Sequence, residues 1–276
     1  MIEIPEAFVL ARQVKEKCGG KTIGQVVVNQ SPHKYAFFYG DPQDYEARLR
    51  GAVIEGAAAL GGLVEVRASG LRRLLFGDGV HLRFHESDEG VPKKHQLLVV
   101  FGDGSGLSGS VQMYGGLWCY LEGELDNPYY ETARAKPSPL SEVFNAEYFQ
   151  GIITRPDVQK LSLKACLATE QRIPGLGNGV LQDVLWRAGL HPKRKVQTLN
   201  EAEVTGLFSA LKDVPAKMAA LGGRDTETDL MGNRGGYLTT MSRLHLGQAC
   251  SVCGESVVKE AYLGGSIYFC PGCQRV

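Results

Sequence analysis

Over the first ~130 residues the apolar positions form short aromatic or β-branched runs instead of a helical stripe. TIGQVVVN, KYAFFYG, RRLLFGDGVHLRFH and HQLLVVFGDG are of this kind, most of them closed by Gly or Asp-Gly, a pattern that predicts strands. Asp78-Gly79 and Asp103-Gly104 each sit between apolar runs, the strongest short hairpin signal. One helix over 6–18 precedes the strands, with Phe8, Val9, Ala11, Val14 and Cys18 on its apolar face. Several short strands with turns between them predict a β-sandwich or a barrel.

The pattern changes near Asn127-Pro128 and again at Lys136-Pro137-Ser138-Pro139. Prolines this dense interrupt helix and sheet, so this stretch reads as a linker between domains. Beyond it the apolar spacing turns helical over 141–148, 163–169, 179–188 and 201–221. The segment 222–237, GGRDTETDLMGNRGGY, is Gly-rich and polar. A loop of that length is either functional or disordered. No internal repeat or low-complexity tract interrupts the chain.

Near the C-terminal end stand Cys250, Cys253, Cys270 and Cys273, in C-x2-C-x16-C-x2-C spacing. Two C-x-x-C knuckles at this distance match a tetrahedral zinc site, one ion per chain. The surrounding 27 residues hold too few large apolar side chains for a core, so metal binding would supply the folding energy. Two disulfides would suit a secreted protein instead, and an iron–sulfur site or a redox pair is also compatible with four cysteines. Four thiolates leave zinc no open position, so the ion would shape the chain and perform no chemistry.

The N-terminal MIEIPEAFVLARQ lacks a charged-then-apolar signal pattern. No apolar run approaches the ~18 residues that span a membrane. Cys18, Cys119 and Cys166 read as buried reduced thiols. A cytoplasmic location and no membrane partner are therefore expected.

Net charge is zero but unevenly distributed. Residues 1–150 carry 15 Lys+Arg against 19 Asp+Glu, or −4, and residues 151–276 carry 15 against 11, or +4. Arg187, His191, Lys193, Arg194 and Lys195 form the sharpest basic cluster. Such a cluster suits phosphate contact, though a solvated basic face accounts for it equally well. Just before it, Pro174, Gly175, Gly177 and Asn178 make a tight turn into a helix. Unpaired N–H groups and the helix dipole make that turn a candidate anion site. A Gly-capped helix hairpin is the plainer reading. No P-loop is present, which argues against nucleotide hydrolysis.

Taken together and in order, these pieces resemble the formamidopyrimidine-DNA glycosylase and endonuclease VIII family of base-excision repair. MIEIPE is similar to that family's Met-Pro-Glu-Leu-Pro-Glu opening, and PGLGNGVLQDVLWRAGLHP to its helix-two-turn-helix. Lys164 matches a phosphate-binding lysine, Lys94-His95 a pair whose histidine contacts DNA, and the four cysteines a zinc-bound hairpin. The resemblance implies an N-terminal β-sandwich over 1–135, a helical helix-two-turn-helix domain over 136–245 and a β-hairpin zinc finger over 246–276. It also implies a monomer acting on damaged duplex DNA as a glycosylase with AP lyase activity. Such enzymes bend the duplex, flip the damaged base and fill the gap with side chains. An N-terminal amine attacks the sugar carbon while a glutamate handles protons. On this chain those roles fall to Met1, Glu3 and Glu6, with Arg72, His95, Met113, Tyr114, Lys164 and Asn178 toward DNA.

The departures from the family fall on chemistry. Ile2 stands at the nucleophilic proline, which leaves Met1 in place and its amine about 3.5 Å further out. Arg72 replaces a lysine and Gly265 an arginine of the hairpin. Gln112-Met113-Tyr114 occupies the loop that inserts Arg and Phe into the duplex. An active glycosylase is the leading expectation. The alternative is a DNA- or RNA-binding protein that kept the scaffold and lost catalysis. A zinc-stabilised interaction scaffold ranks last, because it leaves the basic cluster without a role.

Overall fold

The computed structural model describes residues 1–77, 79–87 and 90–275. Helix α1 (Ile4–Cys18) opens the chain, starting two residues before the expected point because Glu3 and Glu6 form a capping box. Its buried stripe is Ala7, Leu10, Ala11, Val14 and Cys18. Phe8, expected on that face, is instead 44% exposed.

Eleven strands occur among the described residues, nine of them in two stacked sheets. They are β1 (Ile23–Val28), β2 (Ala36–Phe37), β3 (Ile54–Leu60), β4 (Leu63–Ala68), β5 (Arg72–Phe76), β6 (Val80–His85), β7 (Leu97–Phe101), β8 (Gly106–Val111), β9 (Gly115–Leu121), β10 (Val258–Tyr262) and β11 (Gly265–Phe269). One sheet has the order β1-β7-β8-β6, the other β2-β9-β5-β4-β3. Ile23, Val99 and Leu107 of the first face Ile54, Val66, Leu74 and Phe76 of the second in one core. This is a sandwich; the barrel alternative falls away.

Asp103-Gly104 does join a hairpin, β7 to β8, with Leu97 opposite Gly109. The Asp78-Gly79 expectation is overturned. Asp78 lies outside the described residues, but β5 and β6 on either side belong to different sheets. The glycine there answers to packing, since a Cβ on Gly79 would sit 1.6 Å from the Tyr114 carbonyl oxygen. KYAFFYG is strand only over Ala36–Phe37, on the sheet's edge and parallel to β9.

A second core gathers Ile4 of α1 with the later helices. These are α4 (Ala146–Ile153), α5 (Leu163–Ala168), α6 (Asn178–Arg187) and α7 (Glu201–Ala220). The short α2 (Tyr45–Leu49) packs into the sandwich core, and Tyr130 and Ala133 of α3 (Pro128–Ala135) pack on Leu63, Leu75 and Tyr120 of the strands. The proline-dense stretch is therefore no plain linker. Pro128 occupies the first turn of α3, where a missing N–H costs nothing, and Asn127 caps it. Likewise α4 starts five residues later than expected, because Asn145 caps it by accepting from Tyr148 N at 2.8 Å.

Segment 222–237 is held in place on all sides. Leu230 is fully buried in the sandwich core, and its carbonyl accepts from Phe84 N at 2.9 Å. Gln13 of α1 takes the Leu230 N–H at 2.9 Å. Its anchors are Leu230, Tyr237 against the helical core, and many polar contacts, so its apolar content understates its order. Among the described residues no helix is long and apolar enough to cross a membrane.

Candidate active site and nucleic-acid interface

The two cores meet where the N-terminal residues touch the turn before α6. A β3–β4 turn, Gly61-Gly62, fits against Pro174-Gly175 so closely that a Cβ on Gly175 would lie 2.1 Å from Gly62 N. Gly175 adopts φ 76°, and its carbonyl accepts from Ile4 N at 3.0 Å. Glycine is required there for both conformation and space.

This packing sets Glu3 at the start of α6. Its two carboxylate oxygens accept from Gly179 N at 3.0 Å and Val180 N at 2.8 Å. The anion expected at this turn is thus supplied from inside the protein. Gly177 and Gly179 leave the room, since a Cβ on either would come within 2.4 or 2.9 Å of the Glu3 side chain.

The charge facing both glutamates comes from Arg224, a residue that neither spacing nor the family resemblance singled out. It is 2% exposed. It donates to Glu6 through Nε at 2.9 Å and Nη2 at 2.7 Å, and to Glu3 through Nη1 at 3.2 Å. Burial, only partly offset by the Arg224 charge and two amide hydrogen bonds, holds the Glu3 carboxyl above its ordinary range. For Glu6 burial also pushes upward, but the Arg224 charge and hydrogen bonds prevail and hold it low. One carboxyl is thereby readied to keep a proton and its neighbour to give one up.

Ile2 is 5% exposed and packs into the sandwich core, whereas Met1 is 45% exposed. The Met1 amine is ion-paired with Glu227 of the 222–237 segment. Met1, Ile2, Glu6, His81, Glu227 and Thr228 line a cleft of about 20 Å³, room for little more than a water. His81 and His85 are residues of β6. His85 pairs with Ser108 Oγ at 2.8 Å, while His81 reaches this cleft, and burial and the N-terminal charge lower its pKa.

A second group forms where α5 and α6 meet the β10–β11 hairpin. Lys164 is 5% exposed and donates to Tyr262 O at 2.6 Å. Asn178 Nδ2 donates to Ser266 O, and its Oδ1 has no hydrogen-bond partner among the described residues. A Cβ on Gly265 would lie 3.5 Å from Lys164 Nζ and 4.0 Å from Asn178 Nδ2. The three positions named from the sequence are therefore close neighbours in space. Two of the four cations of the basic cluster are ion-paired: Lys193 with Glu260, and Arg194 with Glu203 at 2.6 Å. His191 is buried edge-on against Phe269, with 4.3 Å between ring centres.

The remaining expected contacts are dispersed. Arg72 gives its guanidinium to the carbonyls of Arg48 in α2 and of Ser69 in the β4–β5 turn, the latter at 2.8 Å, so its donors are spent on backbone. His95 is buried, with Nδ1 2.8 Å from Pro92 O and Nε2 unpartnered among the described residues. Met113 and Tyr114 are 68% and 39% exposed, on the turn between β8 and β9. Cys18, Cys119 and Cys166 are buried, and burial pushes their thiols up to about 12, 12 and 11.

Cys250, Cys253, Cys270 and Cys273 are unpaired thiols whose sulfurs all lie within 4.8 Å of one another. Sγ separations are 3.8 Å for Cys250–Cys273 and 3.2 Å for Cys253–Cys270. Tetrahedral zinc with bonds of about 2.3 Å sets its sulfurs roughly 3.8 Å apart. The cluster could hold a metal ion, and its donor set fits zinc. Gln274 ties it to the turn after α6 by donating to Leu190 O at 2.9 Å and accepting from Cys270 N at 3.0 Å.

The Formamidopyrimidine-DNA glycosylase H2TH domain family matches residues 136–229. Over its whole length the chain is 26% identical to the formamidopyrimidine-DNA glycosylase of Enterococcus faecalis, covering 98% of that protein. It is 28% identical to the Streptococcus pneumoniae enzyme of the same name, covering 100% of this chain and 99% of that one. Among solved structures, MutM (Fpg) of Thermus thermophilus superposes with a TM-score of 0.82 at 25% identity, covering 99% of this chain and 98% of that one. A Lactococcus lactis Fpg in complex with abasic-site DNA shares the fold, with a TM-score of 0.84, 21% identity and coverage of 99% and 100%.

Proposed function

Because the chain belongs to the formamidopyrimidine-DNA glycosylase and endonuclease VIII family, we propose that it removes damaged bases from DNA in base-excision repair. The observation that carries this reading is the double use of the α6 start. Its backbone amides hold Glu3, while the side chain of its first residue, Asn178, lies beside Lys164 and Gly265. A backbone phosphate held by Lys164 and Asn178 would therefore sit at the same helix start as Glu3. Lys164 has three donor protons and gives one to Tyr262, which leaves capacity for a phosphate. Asn178 would exchange its Ser266 contact for the phosphate.

Glu3 is the proton-handling group in this reading, because burial keeps its carboxyl nearer to neutral pH than an exposed glutamate. Glu6 and Arg224 position it. Met113 and Tyr114 fill the gap left by the flipped base. The flipped base needs more than the 20 Å³ cleft offers, so Glu227 and Thr228 must move aside and release the Met1 amine. The cysteine cluster binds one structural zinc, and four thiolates leave it no catalytic position. Residues 1–135, 136–245 and 246–276 act as catalytic, helix-two-turn-helix and zinc-finger units, with the protein working as a cytoplasmic monomer.

A second reading, a DNA-binding protein without lyase chemistry, is favoured by Ile2. Its side chain is built into the core, and the amine beyond it is ion-paired. Borohydride trapping on abasic duplex separates the two, run beside an assay of base release from oxidised duplex. The glycosylase reading expects base release that Glu3→Gln abolishes while DNA binding persists. A trapped adduct assigns lyase chemistry to the Met1 amine. No release and no adduct, with binding intact, would leave the binding protein.

A further inference from the structure

Beside the wedge turn lies a second exposed aromatic group that the reaction outlined above does not use. The Tyr35 carbonyl accepts from Gly115 N at 3.0 Å, and the next residues pair as Ala36 with Gly115 and Phe37 with Gly116. The backbone of Tyr35 and Phe37 therefore runs directly alongside the chain leaving Tyr114. Tyr35 is 48% exposed and Phe37 50%. Neither ring closes a core. On an edge strand, two exposed rings invite aggregation unless something covers them.

The charge around these rings indicates what covers them. Lys34 Nζ sits 5.2 Å from the centre of the Tyr35 ring. The Ser31 carbonyl accepts from Gln96 Nε2 at 2.6 Å, and the Ser31 N–H donates to the His95 carbonyl at 3.1 Å, which pins this strap to the segment carrying exposed Lys93 and Lys94. Aromatic rings interleaved with lysines match unpaired nucleic acid, whose bases stack on the rings while the phosphates meet the ammonium groups. Lysines, which protein–protein interfaces tend to exclude, weigh against a protein partner here.

We propose that Tyr35 and Phe37 extend the Met113–Tyr114 wedge into a stacking surface for unpaired DNA bases next to the lesion. The protein then engages damage in single-stranded or bubble DNA in addition to paired duplex. This inference rests on the DNA-repair reading above, and deepens it by naming the substrate form.

The test measures binding to an abasic-site analogue in a duplex, in a bubble and in a single strand, by fluorescence anisotropy. Tyr35→Ala with Phe37→Ala should weaken bubble and single-strand binding by about tenfold or more, and duplex binding by less than twofold. Tyr35→Phe, which keeps the ring, should bind all three like wild type. An equal loss on all three substrates, or no loss on any, overturns the proposal, as does a Tyr35→Phe defect matching the alanine one. Thermal melts of each variant identify a loss that comes from unfolding; in that case Tyr35→Leu alone, which keeps the bulk and removes the π-face, decides. Wild-type protein that binds none of the three sinks the DNA-repair reading itself, which is a separate outcome from insensitivity of the variants.

Discussion

Arg224 clasps Glu6 with two nitrogens on two oxygens, at 2.9 and 2.7 Å, and both side chains are buried. One comes from the 222–237 segment and the other from α1, 218 residues earlier. Removing one partner of such a pair strands a charge in a low dielectric. Arg224→Ala should therefore cost about 3–5 kcal/mol of stability, read from urea unfolding at neutral pH. Adding Glu6→Gln to that variant should recover part of the loss, because the stranded charge is gone. Strictly additive losses would show that the pair is not coupled.

The two glutamates should respond oppositely to pH. Glu6 titrates below its ordinary range when folded. Its contribution is thus present above the unfolded value of about 4.3 and fades as pH falls through the folded one. Glu3 titrates above its ordinary range, so its contribution is full below about 4.3 and is lost as pH rises through the folded value. Relative to wild type, Glu6→Gln should gain stability as pH drops below that range, and Glu3→Gln as pH climbs above it. Unfolding curves of both variants across the acid-to-neutral range would reveal parallel behaviour if the assignment were wrong.

Metal analysis should find one zinc per chain, lost in Cys253→Ser. Since Cys250, Val257 and Cys270 close only a small core of their own, loss of the ion should unfold the hairpin and spare the β-sandwich. Near-ultraviolet signals and limited proteolysis would locate the unfolded part. Zinc retained at full stoichiometry in the variant would remove Cys253 from the ligand set.

Lys164→Ala should weaken DNA binding on every sequence and flatten the salt dependence by about one unit, the mark of one lost phosphate contact. Gly265→Arg adds a charge beside Lys164 and Asn178 and should steepen the slope. Titrations at several salt concentrations supply both numbers. A Lys164→Ala slope equal to wild type would mean that Tyr262 alone accounts for the lysine.

Strands and most helices could be read from the chain because each rests on local rules: apolar spacing and Asp103-Gly104 at a true hairpin; the spacing of the four cysteines likewise marked a group whose sulfurs the fold brings within 4.8 Å. Lys164, Asn178 and Gly265 were marked by their places in the family's motifs, and the structure gathers them. Where local signals misled, a distant partner decided. Asp78-Gly79 looks like a hairpin, yet its flanking strands enter different sheets, and Gly79 is needed by the Tyr114 carbonyl. The polar 222–237 segment looks loose until Leu230 and Arg224 find their places among residues of α1 and β6. Most of all, the turn before α6 announces an anion site, while nothing near it in sequence says that the anion is Glu3, 176 residues away. Spacing along the chain specifies which groups can act. Only folding decides which buried charges meet, because a charge taken out of water must have a partner wherever in the chain that partner lies.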